Sequence, residues 1–278
     1  MTTRVAVPSK GRLREKVLDL LEHAGYPTSG FHGAGSRTSV GDLEFIEMRP
    51  RDAGAWLKAD RIAGAFLSTD IVLEDELGHL DAVPLGVARS DLIVASRDDD
   101  GRSSAADLVG ATVATHLPGA TTRWFAEQGI DVTVVAMGGA LEGVCAAGLA
   151  DAIVDLRETG TSLAQNRLRV LADIAPCEAL FVHSRASALI DLTLRIGAVL
   201  QARGHRYVML HLPPDRVTEL TGPFPGRASP TVLPRAGRDD LVAVHLVVPA
   251  DDFWTQLATL RSLGATGIVA LPPDALVP

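Results

Sequence analysis

Residues 150–166 read ADAIVDLRETGTSLAQN. A short apolar run, Ala152, Ile153 and Val154, is bracketed by Asp151 and Asp155. It opens into Glu158, Thr159, Gly160, Thr161 and Ser162 before Leu163 resumes a helical pattern. A buried strand that empties through hydroxyls and a glycine into a helix is the turn at which parallel α/β sheets hold their ligands. Free amides at a helix start, together with threonine and serine hydroxyls, favour a phosphate. Gly160 permits a positive φ or a close backbone approach. No lysine follows the glycine, so this is not a Walker loop, and the same residues could equally form a plain helix cap. A carboxylate beside a phosphate needs another task. Asp151 and Asp155 are therefore candidates for ribose hydroxyls or Mg²⁺, or are simple surface acids at the strand ends.

Outward from this turn the rhythm repeats. Apolar or β-branched runs occur at residues 4–7, 43–48, 62–67, 92–95, 112–114, 132–135 and 179–182. Leu13, Val17, Leu20, Leu21 and Ala24 fall on one helical face with Gly25 at the stop, and a second helix is expected over residues 121–128, closing at Gly129. Strands alternating with helices predict an α/β protein with mainly parallel sheets. A polar linker at residues 97–104 marks one boundary, and the rhythm changes after Ser184. Helix 189–202 then leads to strand 207–212, helix 215–220, strand 241–248, helix 251–263 and strand 267–271, an order that fits a ferredoxin-like sandwich.

The 278 residues suffice for two or three compact domains, and 47% apolar with 22% charged residues describes a globular chain rather than a disordered one. A net charge of −8 with no basic stripe argues against nucleic-acid partners. A phosphorylated ligand must then be met by a local positive field, helped by Mg²⁺. Cys145 and Cys177 have no metal-ligand spacing and read as reduced thiols. The first apolar stretch is too short for a secretory signal, and no run approaches the roughly 20 residues of a membrane span. A cytoplasmic protein without membrane partners is the expectation.

Positive charge gathers at strand ends. Pro8-Ser9-Lys10-Gly11-Arg12 follows the first strand and Arg49-Pro50-Arg51-Asp52 the second, in a chain whose only lysines are Lys10, Lys16 and Lys58. Guanidinium forks bind pyrophosphate bidentately, so basic strand ends suit a doubly phosphorylated substrate. The alternatives are solvated side chains and an Arg51–Asp52 surface pair. His116 follows another strand and is a weaker candidate.

With these residues assembled, the chain resembles the ATP phosphoribosyltransferase family in its long form. Val5-Ala6-Val7-Pro8-Ser9-Lys10-Gly11-Arg12-Leu13 is similar to the family's opening strand and turn, and Met48-Arg49-Pro50-Arg51-Asp52 to its arginine-proline-x-aspartate segment. Gly139-Ala140-Leu141-Glu142, residues 147–155 and residues 158–166 are similar to its most specific signature. Tyr207-Val208-Met209, Pro225-Gly226-Arg227-Ala228-Ser229-Pro230-Thr231 and Leu263-Gly264-Ala265-Thr266-Gly267-Ile268 resemble its regulatory domain. The resemblance implies a two-lobed, periplasmic-binding-protein-like catalytic part. Residues 1–95 with 182–190 would form the first lobe and 96–181 the second, with an ACT-like regulatory domain over 191–278.

It further implies transfer of phosphoribosyl from 5-phosphoribosyl-1-pyrophosphate to N1 of ATP, with Mg²⁺, pyrophosphate release, feedback inhibition by histidine and a homohexamer built from dimers. Arg49 and Lys10 take the catalytic roles. Gly11, Arg12, Asp70, Glu142, Asp155, Glu158, Thr159, Gly160, Thr161 and Ser162 bind substrates, Thr231 and His211 form the regulatory site, and Asp151 meets Mg²⁺ through substrate. Ala63, Ala65, Ser68 and His116 depart from the family pattern and bear on the acceptor, which is ATP or another purine-like heterocycle. A non-catalytic amino-acid-binding regulator is the other alternative.

Overall fold

The computed structural model describes residues 2–221 and 230–277. The chain divides into two compact units, Met1–Asp19 with Pro27–Ile190, and Leu20–Tyr26 with Asp191–Pro278.

The first unit contains two α/β lobes. The first lobe runs β1 (Thr3–Pro8), α1 (Gly11–His23), β2 (Arg37–Val40), β3 (Leu43–Met48), α2 (Pro50–Lys58), β4 (Gly64–Ser68), α3 (Thr69–Glu74) and β5 (Asp81–Pro84). The chain then crosses into the second lobe, with β6 (Ser90–Arg97), β7 (Thr112–Thr115), α4 (Pro118–Glu127), β8 (Thr133–Ala136), α5 (Leu141–Ala146), β9 (Ala152–Arg157), α6 (Thr161–Gln165) and β10 (Leu168–Cys177). It returns as β11 (Ala179–His183), which joins the first sheet in the order β2-β3-β1-β4-β11-β5; the second sheet is ordered β10-β6-β9-β7-β8.

The central strands explain themselves. Val5, Ala6 and Val7 are buried on both faces, as a strand paired in parallel with both β3 and β4 must be. In the second lobe Ala152, Ile153 and Val154 are fully buried, with β9 parallel to β7 and antiparallel to β6. The lobes exchange strands earlier than the sequence suggested. β6, expected to close the first lobe by residue 95, lies wholly in the second sheet, and β11 already pairs with β4 from Ala179, ahead of the expected return at 182. Inter-strand pairing, rather than the polar segment at 97–104, sets the boundary. The helix predicted from residue 121 starts at Pro118, because proline at the first helical position loses no intrahelical hydrogen bond.

The second unit contains α7 (Ile190–Arg203), β12 (His205–Leu212), a 3-10 segment (Pro214–Thr221), β13 (Thr231–Arg235), β14 (Arg238–Pro249), α8 (Ala250–Ser262) and β15 (Thr266–Leu271). The sheet order β13-β14-β12-β15, all antiparallel, is ferredoxin-like. Val208, Leu210, Leu212, Val244, Leu246 and Val248 form one buried face with Phe253 and Leu260 of α8. The expected helix at 215–220 is 3-10 rather than α. The family-like stretch Pro225-Gly226-Arg227-Ala228-Ser229 lies outside the described residues. No helix among the described residues is long and apolar enough to cross a membrane.

One buried ion pair ties the first lobe together. Glu47 on β3 is 1% exposed and receives the Arg14 Nε–H at 2.7 Å and the Gly33 N–H at 2.6 Å, while Arg14 also donates to the Phe31 carbonyl at 3.0 Å. α1, β3 and the glycine-rich turn between them are thereby joined at one carboxylate. Removing only the cation strands a buried charge. Arg14→Met is expected to lower stability by about 3 kcal/mol, and Glu47→Gln by less, in denaturant unfolding followed by circular dichroism.

Candidate active site

The ends of the parallel strands supply the candidate residues. β1 delivers Ser9 and Lys10, β3 delivers Arg49, β4 delivers Asp70, β7 delivers His116, and β9 delivers Asp155 and the loop beyond it. Such edges are where open α/β sheets bind ligands.

The loop at residues 157–162 brings together groups that suit an anion. Gly160 has φ +76°, a conformation that L side chains adopt at a cost, and it immediately precedes α6. Amides of a first helical turn have no intrahelical acceptor, and three hydroxyls surround them. Thr159 and Thr161 hydroxyls lie 3.0 Å apart, and Ser162 Oγ donates to Glu142 Oε1 at 2.6 Å. Glu142 thus joins the loop from α5, and an αL residue, Ala140, precedes that helix.

Asp155 sits at the far end of β9's buried stretch. Burial pushes its carboxyl above the usual range, against the Leu156 N–H at 2.8 Å and His116. Across the cleft Asp70 is only 3% exposed, and its Oδ1 is buried without a hydrogen-bond partner. Cys177 lies nearby, its thiol pushed up to about 12 by burial and then by the Asp70 charge, so it is no nucleophile.

The cations divide into two sets. Lys10 and Arg49 are exposed and make no ion pair among the described residues. Arg49 precedes Pro50, whose ring fixes the start of α2, and its extended backbone (φ −68°, ψ 143°) is that of a residue preceding a helix. Arg12, beside Gly11 at φ +79°, instead reaches across the lobes to both oxygens of Glu158, at 2.6 and 2.7 Å. Two residues expected to bind substrate therefore bind each other. Arg51 does not pair with Asp52; it donates to the His116 carbonyl.

Asp151 requires a correction. It precedes β9, whereas the anion loop follows it, and six residues of strand separate the two ends by about 20 Å. Both oxygens are occupied, Oδ2 by the Thr112 N–H at 2.9 Å and Oδ1 by Arg102 at 2.9 Å. The Thr112 N–H, and then Arg102, hold its pKa below the ordinary value. It is a structural acid rather than a metal contact. Among the described residues no group of three or more His, Cys, Asp or Glu side chains is arranged to hold a metal ion. A cation such as Mg²⁺ fits this donor set only as a companion of a phosphorylated substrate.

The four departures from the family pattern fall into two classes. Ala65 is fully buried opposite Ala6, and Ala63 donates its N–H to the Arg4 carbonyl, so both serve the sheet. Ser68 ends β4 and His116 follows β7, so only these two stand at the ligand edge. Sequence reasoning named Glu158 but missed its neighbours around a cavity of about 400 Å³ at the lobe crossing, among them Thr69, Arg89, Ser90 and Glu178. No motif marks them. It also missed Thr115, whose buried hydroxyl donates to the Val154 carbonyl and accepts the Leu117 N–H, each at 2.9 Å.

In the second unit Thr231 pairs with His245, which pairs with Met209, and His211 lies two residues further along β12. Strand alternation puts Thr231 and His211 on the same, open face of the sheet.

The family model described as ATP phosphoribosyltransferase matches residues 49–202, and the model described as HisG, C-terminal domain, matches residues 202–273. The ATP phosphoribosyltransferase of Natronomonas pharaonis is 34% identical over 99% of this chain and 100% of its own length. That of Methanococcoides burtonii is 30% identical over 99% of both. The solved ATP phosphoribosyl transferase (HisG:HisZ) complex from Thermotoga maritima contains a chain that is 26% identical, with a TM-score of 0.62, covering 70% of this chain and 96% of that one. The chain belongs to the ATP phosphoribosyltransferase family.

Proposed function

We propose that the protein transfers the phosphoribosyl group of 5-phosphoribosyl-1-pyrophosphate to N1 of ATP, releasing pyrophosphate, as the first step of histidine biosynthesis. The observation that carries this reading is the loop at residues 157–162, with its left-handed Gly160 and three hydroxyls, directly following the buried Asp155. The 5-phosphate sits on the amides and hydroxyls of Thr159, Gly160, Thr161 and Ser162, with Glu142 fixing Ser162. Asp155 receives the ribose hydroxyls through Oδ2, because Oδ1 already takes the Leu156 N–H. Asp70 and Ser68 border the acceptor.

Lys10 and Arg49 draw the negative charge that develops on the departing pyrophosphate, whose bound Mg²⁺ enters with the substrate. Arg12 joins them when a multiply charged anion displaces its exposed pair with Glu158, which is 79% and 49% exposed at its two ends and so weak. Displacement at the anomeric carbon depends on in-line positioning and charge stabilisation. The adenine N1 is neutral, so a strong base is not required for attack.

Histidine feedback inhibition belongs to the second unit, with Thr231 and His211 on the open sheet face as its contacts. The same face carries the exposed side chains of Leu233, Val269 and Leu271. Burying them between copies of the chain suits a homohexamer.

Incubating the protein with ATP, 5-phosphoribosyl-1-pyrophosphate and Mg²⁺ is expected to yield the phosphoribosyl-ATP adduct by mass spectrometry. Pyrophosphate release with a different heterocycle, and none with ATP, would overturn the acceptor. Arg49→Ala is expected to lower kcat by about a hundredfold or more while calorimetric histidine binding stays unchanged; a loss of both points to a folding defect. Gly160→Ala forces a side chain into the left-handed region, at about 1 kcal/mol. It is expected to raise the KM for the phosphoribosyl donor several-fold with little change for ATP.

A further inference from the structure

His116 stands between carboxylates from different lobes. Its Nδ1 lies 3.4 Å from Asp155 Oδ1 and its Nε2 lies 3.9 Å from Asp70 Oδ2. The backbone on either side is pinned, by the buried Thr115 hydroxyl network before the ring and by the Arg51 guanidinium on the His116 carbonyl. The ring therefore approaches Asp155 from a fixed direction. His116 and the Leu156 N–H converge on the same oxygen, Oδ1, and no donor among the described residues reaches Oδ2. On the other side, Asp70 Oδ1 is buried and receives no hydrogen bond, and His116 is the ion-pair partner that Asp70 has among the described residues.

The remaining groups around the ring do not alter this balance. Glu142 adds negative charge near Asp155, Cys177 faces Asp70 as a neutral thiol, and Arg51 is engaged with the backbone carbonyl. Two buried or half-buried carboxylates thus share one imidazole, in a cleft that has to admit a polyanion.

We propose that His116 is a positioning residue for the phosphoribosyl donor. By its 3.4 Å contact it holds Asp155 on the Oδ1 side so that Oδ2 receives the ribose hydroxyls, and its ring stands between the Asp70 and Asp155 carboxylates and keeps them apart. The proposal rests on the reading of the loop and Asp155 given under Proposed function.

The test is calorimetric binding of Mg²⁺-5-phosphoribosyl-1-pyrophosphate, without ATP, to wild type, His116→Asn and His116→Ala. ATP binding is measured in parallel. Asparagine keeps an N–H near the Nδ1 position. His116→Asn is expected to match wild type, His116→Ala is expected to lose about tenfold in donor affinity, and ATP affinity is expected to be unchanged throughout.

Asparagine binding the donor as weakly as alanine, alanine binding as tight as wild type, or parallel loss of ATP binding each overturns the proposal. Wild type that binds no donor overturns this proposal and the reading beneath it together. Wild type that forms the ATP adduct while His116→Ala keeps full donor affinity overturns this proposal alone.

Discussion

Parallel strands cannot be joined by a tight turn, and that constraint shapes the catalytic unit. β1, β3 and β4 in one lobe, and β7, β8 and β9 in the other, return through helices, so their outgoing loops gather at one edge of each sheet. The chain crosses between the lobes before β6 and again before β11. Lys10, Arg49 and Asp70 come from one edge, and His116, Asp155 and the 157–162 loop from the other. The lobes share direct contacts, among them Arg12 with Glu158.

Much of this frame was legible in the sequence because burial on both faces leaves a plain apolar run, as in residues 5–7 and 152–154. The ten-residue β10 was not legible. Register shifts between Val170 and Ala172 and between Asp173 and Ala175 break its alternation, so no period of two survives. In the site, glycine and hydroxyls after a strand marked the turn that leads into α6. Asp151 was misjudged because nearness in sequence does not say which end of a strand a residue occupies. Arg12 and Glu158, separated by 146 positions, carry no mutual sequence signal, and neither does the approach of His116 to Asp70 from the other lobe.

The chain is acidic overall, at −8, yet its proposed substrates are polyanions. The structure reconciles the two by retiring carboxylates in pairs. Glu158 is met by Arg12, Asp91 by Arg157 and Asp151 by Arg102. Lys10 and Arg49 keep their charge unspent at the cleft. Local field, rather than net charge, then governs which ligand approaches.

Glu74, at the end of α3, gives this account a final turn. Its two carboxylate oxygens accept the N–H groups of Gly119 at 3.1 Å and Ala120 at 2.8 Å, at the start of α4 in the opposite lobe. Three helices of the second lobe, α4, α5 and α6, begin near the ligand edge, each after one of the parallel strands β7, β8 and β9. One of them is already answered by a carboxylate that the first lobe supplies. The first lobe thus closes one of these helix starts to an anion, leaving the amides of the others uncapped by it.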